Sequence, residues 1–163
     1  MSLRLAIFAL AATFSCSPAF GQALMQNFSW PEMREALENA GSTIVAEGSD
    51  GDTRYFDAKS KDNLIFTVFG FDCDTKEPTQ RCRGAHLAAS FTPKDDDALV
   101  EALVAIDYLT VDDRPTPLNN VRLTRYIIFG GGIAAANLRE NISVFLSVSQ
   151  DVLKLLGEKD LLK

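Results

Sequence analysis

From Trp30 onward, the spacing of hydrophobic residues switches between a period near 3.6, which marks helices, and a period of 2, which marks strands. Trp30, Met33, Leu37 and Ala40 recur at helical steps. Ser29 and Glu32 stand at capping-box spacing, Pro31 lies in the first turn and Gly41 is a natural C-cap, so a short amphipathic helix is predicted. Ser42 to Glu47 and Arg54 to Ala58 read as strands around the turn formers Gly48-Ser49-Asp50-Gly51-Asp52. That loop lacks the longer series of oxygen ligands and the closing Glu of a calcium loop, and reads as a hairpin turn. Leu64 to Phe71 is apolar on both faces, the pattern of a central strand. Arg83 to Thr92 alternates instead. Ala85, Leu87, Ala89 and Phe91 share one face; Gly84, His86, Ala88 and Ser90 share the other, expected closer to solvent or to small contacts.

Thr92-Pro93-Lys94-Asp95 predicts the start of a second helix, with Pro93 at N1 and acids toward the positive end of the dipole. Its apolar stripe is Leu99, Leu103 and Ile106. Val121 to Phe129 reads as a strand interrupted on its apolar face by Arg125. Gly130-Gly131-Gly132 follows, without the Lys or the glycine spacing of a phosphate loop, and reads as a sharp turn. The longest helix comes next, with Leu138, Ile142, Phe145, Ser149, Val152 and Leu156 as its buried stripe, Gly157 as its end and the last six residues expected to fray. The elements together predict an α+β fold, an antiparallel sheet of about five strands packed by three helices.

The first residues carry a different signal. Arg4, the apolar run Leu5 to Phe14, the breaker Pro18 and the small residues of Gly21-Gln22-Ala23 predict a Sec-type signal peptide, residues 1–23, cleaved after Ala23. Phe14 and Thr13 fit poorly in the small-residue box that a lipoprotein needs before Cys16. Removing 23 of 163 residues leaves 140, enough for one domain at 28–157 with a C-terminal tail at 158–163. Loss of Arg4 moves the net charge from −6 to −7. Such an acidic chain without a basic run makes nucleic acid and anionic membrane surfaces poor partners. The mature part has no apolar run long enough for stable membrane insertion, so a periplasmic or secreted location is expected.

That compartment gives the cysteines their meaning. Cys16 leaves with the signal, and Cys73 and Cys82 remain where apolar runs meet the polar connector Asp74 to Arg81. An even pair in an oxidising space reads first as a structural disulfide. A redox pair is the alternative, although such pairs favour C-x-x-C spacing at a helix start. Zinc would need four ligands, and the mature chain offers one His and no third Cys. His86, the single histidine, is not expected to do acid–base work. No catalytic residue, metal or cofactor is expected.

The helix ending in Gly41, the run Phe69-Gly70-Phe71-Asp72-Cys73, Cys82 leading into a strand, and Gly130-Gly131-Gly132-Ile133 ahead of Asn137-Leu138 resemble the YbjN-domain family. This family is described as bacterial sensory transduction regulators, and the resemblance is to its exported members, over about residues 28–157. It implies a fold similar to type III secretion chaperones, domains that bind proteins and often dimerise, and it carries over no catalytic residues. The functional expectation is an exported, non-enzymatic interaction or regulatory module of the bacterial envelope, chaperone-like in kind. Its partner would be an unidentified envelope protein or a second copy of the chain. Two other readings stand beside it. One is a periplasmic thiol–disulfide enzyme using Cys73 and Cys82; the other is a small-ligand sensor with an apolar pocket between the sheet and the long helix.

Overall fold

The computed structural model describes residues 23–51, 53–74, 79–105 and 120–163, without the side chains of 99–100 and 103–105. The predicted signal segment up to Gln22, residues 75–78 of the disulfide connector and Ile106 lie outside the described residues, as do the side chains of Leu99 and Leu103.

The described elements are β1 (Leu24–Met25), β2 (Phe28–Ser29), α1 (Trp30–Asn39), β3 (Ser42–Asp50), β4 (Thr53–Ser60), β5 (Ile65–Cys73), β6 (Arg81–Phe91), α2 (Asp96–Ala105), β7 (Val121–Ile128), β8 (Ile133–Ala134) and α3 (Ala135–Glu158). The fold is α+β, as the periodicity predicts. Its main sheet is six-stranded and antiparallel, in the order β2-β6-β5-β4-β3, with β7 also on β6. β2 and β7 pair with successive stretches of β6: Phe28 faces Cys82, and Ile128 to Val121 face Gly84 to Phe91. β1 and β8 form a two-stranded ribbon, Leu24 opposite Ala134.

One face of the sheet carries the core. Phe56 and Ala58 of β4, Phe66 and Val68 of β5, Leu87 and Ala89 of β6, and Leu123 and Ile127 of β7 alternate onto it. Trp30, Met33 and Leu37 of α1 close it, together with Leu138, Ile142, Phe145, Val152 and Leu156 of α3. Rings interlock there: Trp30 lies edge-on to Phe56 with centroids 4.8 Å apart, and Phe66 meets Phe145 at 5.6 Å. Ser149 keeps its place in the α3 stripe because its hydroxyl donates to the Phe145 carbonyl at 2.7 Å. Arg125, the charged break in β7, reaches α3 and donates twice to Asn141 Oδ1, at 3.0 and 2.6 Å.

Three local readings change. The first hairpin is tighter than predicted: β3 runs to Asp50 and β4 starts at Thr53, so the turn formers are mostly strand. α2 begins later. Pro93 bridges to Leu162 instead of opening the helix, and the Asp95 carboxylate caps it by accepting from the Ala98 N–H at 2.8 Å. The chain end is held, not frayed. Gly157 lies inside α3, Leu161 is buried, Lys94 N–H donates to the Leu161 carbonyl at 2.9 Å, and Lys163 N–H donates to the Thr92 carbonyl at 3.1 Å.

Candidate functional site

Cys73 and Cys82 form a disulfide between directly paired residues of β5 and β6, with Cα atoms 3.9 Å apart. Just before it, Asp72 adopts a left-handed backbone (φ 50°) and its carboxylate meets Arg83 at 3.5 Å. The sulfurs lie over Gly70, on the face that bears Phe66 and Val68. A Cβ built on Gly70 would fall 2.7 Å from Cys82 Sγ, 3.0 Å from the Trp30 ring and 3.1 Å from Cys73 Sγ. Cys82 is fully buried, whereas Cys73 is partly buried against the core.

The residues before Cys82 fasten the N-terminal segment to the sheet. Gln80 Oε1 accepts from Trp30 Nε1 at 3.0 Å. Arg81 donates to Asn27 Oδ1 at 2.6 Å and to Glu32 Oε2 at 2.9 Å. Glu32 in turn accepts from the Ser29 backbone N–H at 2.6 Å, closing the predicted capping box. Partial burial pushes the Glu32 carboxyl up, but the Ser29 backbone and hydroxyl donors and the Arg81 charge outweigh it, and the group sits below the ordinary glutamate range. The disulfide is thus the covalent member of a cluster that anchors the start of α1.

The opposite face of the sheet has a different character, and no described helix packs on it. Gly48, Tyr55, Phe69, His86 and Tyr126 are successive register partners across β3, β4, β5, β6 and β7. Their rings touch in series: Tyr55–Phe69 at 5.9 Å, Phe69–His86 at 6.0 Å, and His86–Tyr126 stacked at 4.4 Å with planes 3° apart. His86 is therefore a member of an aromatic row. Phe71 lies over Gly84, where a Cβ would collide with its ring; this aromatic cover buries a residue that alternation places toward solvent. Three large apolar side chains on this face are open: Ile65 is 61% exposed, Tyr126 63% and Ile128 57%. The sequence places the rings in strands but does not show the row, because the row exists only in the register between strands.

The third glycine of Gly130-Gly131-Gly132 backs onto the N-terminal ribbon. A Cβ there would lie 2.7 Å from Gln26 Nε2 and 2.8 Å from Leu24 Cβ, and its φ is +88°. This supports the reading as a turn. A polar groove of about 310 Å³ lies between the end of α1, the β4–β5 turn and α3, lined by Ser60, Asp62, Ser143, Ser147, Gln150 and Asp151. The sheet–α3 interface is occupied by core side chains such as Phe66, Phe145 and Ile142.

Among the described residues no cluster of three or more His, Cys, Asp or Glu is placed to hold a metal, and no helix is long and apolar enough to cross a membrane. No family model matches the chain, and neither a curated protein nor a solved structure does.

Proposed function

We propose that this protein is an exported, non-enzymatic protein-interaction module of the bacterial envelope, of the YbjN-domain type, and that it docks through the outer face of its sheet. The observation that carries the reading is the aromatic row with Ile65, Tyr126 and Ile128 open beside it. Exposed aromatic and aliphatic side chains on a sheet face with no described helix over it are the kind of surface that marks interaction sites. The acidic net charge of −6 argues against nucleic acid as the partner. The Cys73–Cys82 bridge is compatible with an oxidising compartment, which is where the predicted signal peptide would deliver the chain. Burial of Cys82 beneath Trp30 favours a structural bridge over thiol exchange.

The test pairs export with docking. Intact mass of the protein recovered from the periplasm should correspond to a chain that begins at Leu24 and lacks two hydrogens. Chemical crosslinking in envelope extract should join the wild-type protein to a partner and fail for Tyr126→Asp/Ile128→Asp, while circular dichroism shows the same fold. An unprocessed N-terminus would overturn the export reading. Equal crosslinking of the double variant would overturn the docking face.

A further inference from the structure

The aromatic row has a neighbour of opposite relief. One step along the strands, Asp57, Thr67, Ala88 and Thr124 are register partners across β4, β5, β6 and β7. Every member is short where the adjacent row carries Tyr55, Phe69, His86 and Tyr126. The face therefore bears a tall ridge and a low trough, side by side, about 7 Å apart (two residues at 3.3 Å) and each running across β4 to β7. The polar groups of the trough are partly satisfied internally, since Thr67 Oγ1 donates to Asp57 Oδ1 at 2.7 Å. That bond stays in place when the trough is covered, so one oxygen of the Asp57 carboxylate keeps its donor.

A ridge beside an equal, parallel trough is self-complementary under a two-fold axis. Resting on the reading of this face as a docking surface, we infer that its occupant is a second copy of the chain, packed sheet to sheet with each ridge in the other's trough. An axis between the rows, lying across the strands, sends position 55 to 57, 69 to 67 and 126 to 124. The same operation lays exposed Ile65 on Phe71 of the second copy and covers both. It also brings Lys59 to the end of the second copy where Asp50 pairs with Thr53, opposite charges from opposite ends of the face. Isologous contact of this kind is the ordinary way chains form closed dimers, and aligned sheets pack about 10 Å apart. β4 to β7 present four strands of 8 to 11 residues. At about 4.8 Å per strand and 3.3 Å per residue they offer about 500 Å² in projection, before side-chain relief is added. That is of the order of the roughly 800 Å² per partner that a standard interface buries.

The purified, exported protein should sediment as a dimer between 1 and about 100 µM, within the range of specific interfaces. Thr124→Arg, which fills the trough, and Tyr126→Asp, which breaks the ridge, should each weaken association about ten-fold or more with the circular dichroism spectrum unchanged. On the unaltered protein, zero-length carbodiimide crosslinking should join Lys59 to Asp50 between copies; within one copy these residues sit at opposite ends of the face. A monomer at the highest concentration overturns the inference. So does a dimer that ignores both substitutions and lacks the Lys59–Asp50 link. If the protein is monomeric and Tyr126→Asp/Ile128→Asp still abolishes an envelope partner, the docking face stands and only the second copy falls.

Discussion

At the scale of single residues, the most demanding position is Gly70. Nothing about its φ requires glycine; what requires it is the space taken by the disulfide above it, with Cys82 Sγ 2.7 Å and the indole 3.0 Å from where a methyl group would sit. Neither neighbour is the free end of a flexible chain, because one is crosslinked and the other is held by Gln80. Gly70→Ala should destabilise the fold by about 1–3 kcal/mol, as overpacking does, read as a lower urea midpoint. Gly130→Ala is the control: its nearest contact would be an ordinary 3.7 Å, and it should stay within about 0.5 kcal/mol of wild type. An equal effect of the two would refute the packing argument. At this scale the sequence was informative where the chemistry is local. The Ser29–Glu32 box was legible because it depends on spacing alone. The left-handed Asp72 and the crowding at Gly70 were not, because each depends on what a distant strand places there.

At the scale of elements, the sequence located helices and strands well and their ends less well. α2 shows why. Thr92-Pro93 has the look of a helix start, but tertiary contact claims Pro93 for a bridge to Leu162, and Asp95 becomes the cap. The start of α1 is the opposite case, since tertiary contact reinforces the local signal when Arg81 of β6 joins Glu32. This has a pH consequence. The Glu32 pKa is lowered on folding, so the carboxylate contributes stability above its unfolded value near 4.3 and loses it as pH falls through the lower folded value. Glu32→Gln should therefore be less stable than wild type at pH 6, and the gap should narrow toward pH 3, measured by urea unfolding across a pH series. A gap that is constant with pH would show that the ionised form matters little. Glu32 is partly exposed, so the effect is screened and modest.

At the scale of the whole molecule, the chain's last residues act as a clasp. Leu161 is buried, and main-chain bonds tie the end to Thr92 and Lys94 in the connection between β6 and α2. An ion pair from Lys94 to Asp160 lies beside them. Leu161→Ala should cost about 2–5 kcal/mol, the range for deleting a buried leucine side chain, and lower the calorimetric melting temperature. A melting temperature unchanged from wild type would return the end to the frayed tail that the sequence suggested. The fold class belonged to the sequence, because hydrophobic period decides which segments become helix or strand, and burial then leaves few ways to stack them. The disulfide partners were also legible, since only two thiols follow the predicted signal segment. Only the tertiary structure decided which sheet face α1 and α3 cover, that β2 and β7 share one side of β6, and that four bulky residues line up beside four short ones. The reason is physical. Periodicity records which residues share a face of their own strand, whereas the register between strands is set by long-range pairing, and relief across a sheet exists only once that pairing is made.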